Sequence, residues 1–238
     1  MKIPELQQIA ADFERNGVVD VRGMLSDGEV RSLRDALSDY VERHLRSLPS
    51  EDFVLEADGA SVRNLWRLET HSDFFRSFSR QSDLIELIRS LVRGDPLVMG
   101  VESFNKPARV GSAVPPHQDN AYFCLKPPDA LTLWIALDEV TEENGPVRYL
   151  PGSHRQGLRP HTPSGVAGNS MGLVDDVSGE ETYTGLLAPG DALIHHCEII
   201  HFSSPNTSGR NRCGLLIVYR GDHCVQDPAL RSAYVMAP

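Results

Sequence analysis

The sequence predicts a mainly β fold with an α annex, a two-sheet jelly roll of cupin-like kind with its N-terminal helices packed outside. Three observations lead there. Apolar stripes at helical spacing are confined to the first part of the chain, to about residue 95. Segments of strand character, punctuated by Pro, Gly, Asn and Ser, fill the part from about 96 to 222. No linker-like run divides the 238 residues, and 26.3 kDa is enough chain for one sizeable core. The expectation is a single domain over 1–238.

The elements follow in order. Residues 5–15 and 27–46 carry apolar side chains at helical spacing, and Ser26 with Glu29 three positions on forms a capping box that opens the second helix. A third helix over 81–92 shows the stripe Leu84, Ile85, Leu87, Ile88 and Leu91, with Gly94 as its stop. Strands are expected at 97–105, 113–118, 131–139 and 147–150, and again as pairs after Thr182. Between Gly152 and Thr182 lies a Gly-, Pro-, Ser- and His-rich segment of little periodicity. It reads either as a mobile flap over a pocket or as a surface excursion between strands.

Composition narrows the function. A net charge of −10 and a pI near 5.3 argue against a surface for nucleic acid. No stretch approaches the roughly 18 apolar residues of a membrane helix, and the N-terminal MKIPELQQIAADFERNG lacks the apolar centre of a signal peptide. Cys124, Cys197, Cys213 and Cys224 show no C-x-x-C spacing, and the terminal Tyr-Val-Met-Ala-Pro is no peroxisomal address. The expected setting is the cytoplasm, with a small-molecule substrate and neither membrane nor nucleic acid as partner. Oligomeric state stays open.

The chemistry lies in PPHQDNAYF and in HFSSPNTSGRNR. On a strand, His117 and Asp119 would share a face, about 6–7 Å apart at the backbone, with Gln118 facing away. Two histidines and a carboxylate suit Fe(II) and leave coordination positions free for a co-substrate and O2. His201 supplies the second histidine, with His195 and His196 as its competitors. Strands ending in His201 and beginning at Arg212, paired antiparallel through the turn 205–209, would bring Arg212 into the same pocket. A guanidinium there suits the far carboxylate of a 2-oxo dicarboxylic acid. Ser203 shares the face of His201. Asn120 and Tyr122 follow the metal motif and are candidates for substrate contact. His154 and His161 read as turn or flap residues.

These residues carry a resemblance. The strings His117-Gln118-Asp119-Asn120, Leu133 to Asp138, Glu143-Asn144-Gly145-Pro146, Tyr149 to His154, Pro189-Gly190-Asp191 and His201 to Arg212 resemble the phytanoyl-CoA dioxygenase family of Fe(II)/2-oxoglutarate-dependent oxygenases. The resemblance covers about residues 95 to 220 and, more loosely, the helical part. It implies a double-stranded β-helix, Fe(II) held by His117, Asp119 and His201, and 2-oxoglutarate anchored by Arg212. Ser203 and Trp134 match positions at the co-substrate, and Arg63 matches a further one. The implied reaction hydroxylates a C–H bond with O2 while 2-oxoglutarate becomes succinate and CO2. Asp119 stands where the halogenating branch has a small residue, which disfavours halogenation. The resemblance does not transfer a substrate. A non-catalytic metal-binding jelly roll and a zinc hydrolase are the alternatives, the latter having no use for Arg212.

Overall fold

A computed structural model describes residues 3–234. The chain ends, including 235–238 of the Tyr-Val-Met-Ala-Pro terminus, lie outside the described residues. Seven α-helices are present among these: α1 (Ile3–Asn16), α2 (Asp27–His44), α3 (Leu68–His71), α4 (Asp73–Phe78), α5 (Ser82–Arg89), α6 (Asn120–Phe123) and α7 (Pro228–Tyr234). The strands of the first half are β1 (Val18–Val21), β2 (Phe53–Leu55), β3 (Val62–Leu65), β4 (Pro96–Lys106), β5 (Val114–His117), β6 (Leu125–Lys126) and β7 (Ala130–Ala136). Those of the second half are β8 (Val147–Tyr149), β9 (His161–Val166), β10 (Asn169–Leu173), β11 (Tyr183–Thr184), β12 (Ala192–His196), β13 (His201–Ser203), β14 (Arg212–Gly221) and β15 (Val225–Gln226).

Two sheets form the roll. The larger has the order β1-β12-β7-β14-β4-β3-β2 and the smaller β11-β8-β13-β5. All pairings are antiparallel, and the two sheets face each other as the jelly roll requires. Period-two alternation sorts the long strands of the larger sheet between their faces. Leu131, Leu133 and Ile135 of β7 and Leu215, Ile217 and Tyr219 of β14 turn outward, where they join Leu33 and Leu37 of α2 and Leu87 and Ile88 of α5 in the main core. Thr132, Trp134, Arg212, Leu216 and Val218 turn inward and line a cavity. A fully buried Leu or Ile stabilises the fold by about 1.5–3 kcal/mol. The helix-covered outer face therefore carries most of the stability, and the inner face is free to hold polar chemistry.

The helical expectations hold. Ser26 Oγ accepts from the Glu29 backbone N–H while the Glu29 carboxylate accepts from the Ser26 backbone N–H at 2.8 Å. The part before residue 95 is less purely helical than its periodicity suggests. Strands β1, β2 and β3 extend the larger sheet at both edges, because four-residue strands such as VVDV are too short to show against flanking helices. The segment between Gly152 and Thr182 is more regular than its composition suggests: it holds the hairpin of β9 and β10, with Leu173 opposite His161, turning at Gly168 with φ +77°. No helix among the described residues is long and apolar enough to cross a membrane.

Candidate active site

His117 and His201 meet because they are direct cross-strand partners in the pairing of β5 with β13. Their ring centroids lie 4.2 Å apart. Asp119 joins them by a different route from the one expected. Strand β5 ends at His117, and Asp119 has helical dihedrals (φ −59°, ψ −31°) at the start of α6, so the H-x-D pair does not share a strand face. The chain instead curls back, placing Asp119 Oδ1 3.6 Å from His117 Nε2 and 3.5 Å from His201 Nε2. One ligand atom from each of the three lies within 4.8 Å of the others.

The ring nitrogens are poised for an ion. His117 Nδ1 lies 2.8 Å from the Pro115 carbonyl and His201 Nδ1 3.0 Å from that of Ile199. A carbonyl only accepts, so each Nδ1 carries the proton and each Nε2 lone pair faces the carboxylate. Burial and the neighbouring His117 hold His201 well below its ordinary pKa and therefore neutral. Burial alone would raise the Asp119 pKa, but His201, His117 and His195 outweigh it and keep the carboxyl ionised. Its second oxygen is held in place: Thr132 Oγ1 donates to Oδ2 at 3.0 Å, and His195 Nε2 stands 3.1 Å away. Asp119 thus presents Oδ1 to the two imidazoles. Neutral nitrogens and one fixed carboxylate oxygen fit a divalent iron.

Across the cavity stands Arg212, 3% exposed. Its strand is not the hairpin partner of the His201 strand. β13 belongs to the smaller sheet and β14 to the larger, so the two residues face each other from opposite walls. Arg212 Nη1 donates to the Gly145 carbonyl at 2.9 Å, Nε has no partner, and no carboxylate among the described residues pairs with the guanidinium. Burial lowers its pKa to about 10, so it stays charged at neutral pH. The guanidinium lies over Trp134. Ser203 lines the same space, as its register with His201 predicted.

Two expected contacts, Asn120 and Arg63, are placed elsewhere, and a third, Tyr122, keeps only its ring at the cavity. Asn120 is buried outside the cavity wall, where its amide bonds Leu125 and Glu198 Oε1 and braces the turn after Asp119. Arg63 does not reach the cavity either. It donates to the Ala113 carbonyl and Asn169 Oδ1 and stands 3.6 Å from Glu56, whose carboxylate neutralises it. Tyr122 lines the cavity with its ring, but its hydroxyl donates to the Met171 carbonyl and accepts from the Met171 N–H, fastening β10 beside His117. His196 points the other way from His195 and packs against Phe13 of α1. Sequence reasoning missed Glu102, Thr132 and the bracing role of His195. For Glu102 a signal existed: it is an acid at an inward position of an apolar strand.

The cavity measures about 360 Å³ and is roofed by Gly168, Asn169 and Ser170 of the β9–β10 hairpin. A jelly roll with such a triad facing a buried, unpaired arginine defines the class of mononuclear non-haem iron oxygenases that use a 2-oxo acid. Comparison with known proteins makes this specific. The family model described as phytanoyl-CoA dioxygenase matches residues 13–214. L-proline trans-4-hydroxylase of Streptomyces griseoviridis is 32% identical over 234 residues, spanning 87% of this chain and 83% of that protein. Phytanoyl-CoA dioxygenase 1 of Oryza sativa subsp. japonica is 30% identical, spanning 85% and 84%. Among solved structures, the epimerase SnoN, crystallised with Fe3+, alpha ketoglutarate and nogalamycin RO, superposes with a TM-score of 0.78 at 23% identity, covering 95% of this chain and 88% of that one. EctD from S. alaskensis, with 2-oxoglutarate and 5-hydroxyectoine, gives 0.77 at 20% identity, covering 93% and 76%. The chain belongs to the phytanoyl-CoA dioxygenase family. It is an iron- and 2-oxoglutarate-dependent oxygenase, and the zinc-hydrolase alternative falls with that membership.

Proposed function

We propose that the chain hydroxylates a C–H bond of a compact, amino-acid-sized metabolite, with His117, Asp119 and His201 holding Fe(II). Arg212, aided by Ser203, takes the distal carboxylate of 2-oxoglutarate. The observation that carries this reading is Arg212 itself, a buried guanidinium with an unpartnered Nε that lines the same cavity as the triad. A charge so placed is costly without an anion, and a planar fork suits a carboxylate. Bound iron, with 2-oxoglutarate and O2, supplies the oxidising power and leaves succinate and CO2.

The protein's own part is placement. Asp119 Oδ2 is pinned by Thr132 and His195, which fixes the direction of Oδ1. Trp134 supports the Arg212 guanidinium from below. The hairpin residues Gly168, Asn169 and Ser170 limit access of water. A cavity of about 360 Å³ lies at the small end of ligand sites and must admit 2-oxoglutarate as well as substrate. That favours a compact substrate, as does the proline hydroxylase relative. Four free cysteines fit a reducing compartment such as the cytoplasm. The test is anaerobic addition of 2-oxoglutarate to the Fe(II)-loaded chain, followed by O2. A charge-transfer band and succinate release support the reading, and an iron-loaded chain that gives neither overturns it.

A further inference from the structure

Glu102 is the one carboxyl lining the cavity besides Asp119. It sits on β4 between the inward positions of Gly100 and Phe104, and no hydrogen bond or ion pair among the described residues engages it. Gly100, two residues earlier on the same face, has no side chain to cover it, and a Cβ there would stand 3.8 Å from Glu102 Oε1. Aromatic side chains flank it. Phe104 follows on the same strand face, and Leu65, the last residue of β3, pairs with Ser103, so that Trp66, just past the end of that strand, lines the cavity together with Glu102. Gly168 of the hairpin closes over Trp66, with the position of its Cβ 3.6 Å from the indole. Asn64, opposite Phe104, is fully buried and keeps both amide atoms without a partner beside Gly168.

A half-buried carboxyl that shares a cavity wall with two aromatic side chains is a site for a cation. We propose that Glu102, with Trp66 and Phe104, binds a protonated amine of the substrate, so that the substrates of this enzyme are amino acids or other compact ammonium compounds. The carboxylate supplies the opposite charge and the rings supply cation–π attraction. The inference rests on the active-site reading for its setting but not for its chemistry. Burial, then Asp119 and Glu69, push the Glu102 carboxyl up to about 8, and a bound cation beside it would favour the ionised form. Arg212 stands on the same wall, on the adjacent strand β14 four residues along from Leu216, the partner of Glu102; no ion pair joins the two, and its guanidinium is reserved for the co-substrate.

Two matched pairs of small molecules test this in the full chain. Both tryptophans of the protein, Trp66 and Trp134, line the cavity, so quenching of intrinsic fluorescence reports its occupancy directly. L-proline is compared with cyclopentanecarboxylate, which differs only in having a ring CH2 for the charged nitrogen, and pyrrolidinium with cyclopentanol, a neutral ring of similar size. Wild type is expected to bind the cationic member about tenfold or more tightly, and Glu102→Gln to reduce that preference to near unity. Equal affinity within both pairs, no quenching by any of the four, or a preference that survives in Glu102→Gln overturns the inference. The wild-type pairs decide even where the variant fails to fold. Iron and 2-oxoglutarate binding is read separately from the charge-transfer band, so a missing band counts against the active-site reading and a missing cation preference against this one.

Discussion

The guanidinium carbon of Arg212 lies 5.2 Å from the centroid of the Trp134 ring, and Gly214 is what lets the ring sit there. A Cβ at Gly214 would stand 2.3 Å from Trp134 Cζ2 and 2.4 Å from Cε2, well inside contact distance. Gly214 and Trp134 come from adjacent strands of the larger sheet, and Arg212 and Gly214 share the inward face of β14. The glycine therefore reserves the space in which the indole supports the anchoring charge.

Gly214→Ala is expected to push Trp134 off its position and to weaken both fold and co-substrate binding. Overpacking of this kind costs about 1–3 kcal/mol. Thermal melting and anaerobic 2-oxoglutarate titration check it, and the smaller ring space of a Gly214→Ala/Trp134→Leu double variant should recover stability relative to the single alanine. Additive losses in the two single variants would show that the residues do not share this space.

Iron content distinguishes the histidines. His117→Ala, Asp119→Ala and His201→Ala are each expected to purify with little bound iron, because two remaining ligands hold a labile divalent ion poorly. His196→Ala should keep its iron, since that ring packs against Phe13 on the far side of β12. Full iron occupancy in His201→Ala would show that the distal ligand is another residue.

Arg212→Ala is expected to keep iron while its affinity for 2-oxoglutarate falls by about 2–5 kcal/mol, the loss on removing one partner of a desolvated ion pair. Arg212→Lys should fall between wild type and alanine, because a lysine keeps charge but not the planar fork. Titration of the charge-transfer band in the three proteins is the measurement. Wild-type affinity in Arg212→Ala would exclude the guanidinium as the anchor.

Much of this site was legible as residue types but not as geometry. His117, Asp119, His201 and Arg212 could be picked out, yet both spatial arguments that joined them were replaced. Asp119 comes to the histidines through a helical turn instead of a strand face, and Arg212 faces His201 across the roll instead of along a hairpin. Local patterns specify local conformation, whereas the joining of two sheets is set by the packing of the whole roll. Asn120 misled for a related reason. A polar residue beside a metal motif can equally brace the turn, and burial decides between the two. Glu102 and Thr132 were within reach of strand parity once Leu131, Leu133 and Ile135 are assigned to the core face.

The last prediction follows from Glu102 and concerns stability, with the protein free of metal and ligand. Its carboxyl titrates near pH 8 in the fold against an ordinary value of 4.5. The native state therefore holds a proton between these limits that the unfolded chain has released. For an acid with a raised folded pKa, the native state binds more protons than the unfolded one across that window, so stability falls as pH rises from about 4.5 to about 8 and levels off above it. Glutamine has no proton to lose and cannot show this fall. The difference in melting temperature, Glu102→Gln minus wild type, should thus increase from pH 5 to pH 8 and then flatten. Differential scanning fluorimetry in buffers of constant ionic strength measures it. A difference that stays level across that range would mean that Glu102 ionises in the fold as it does in water, and that the cavity does not isolate it from solvent.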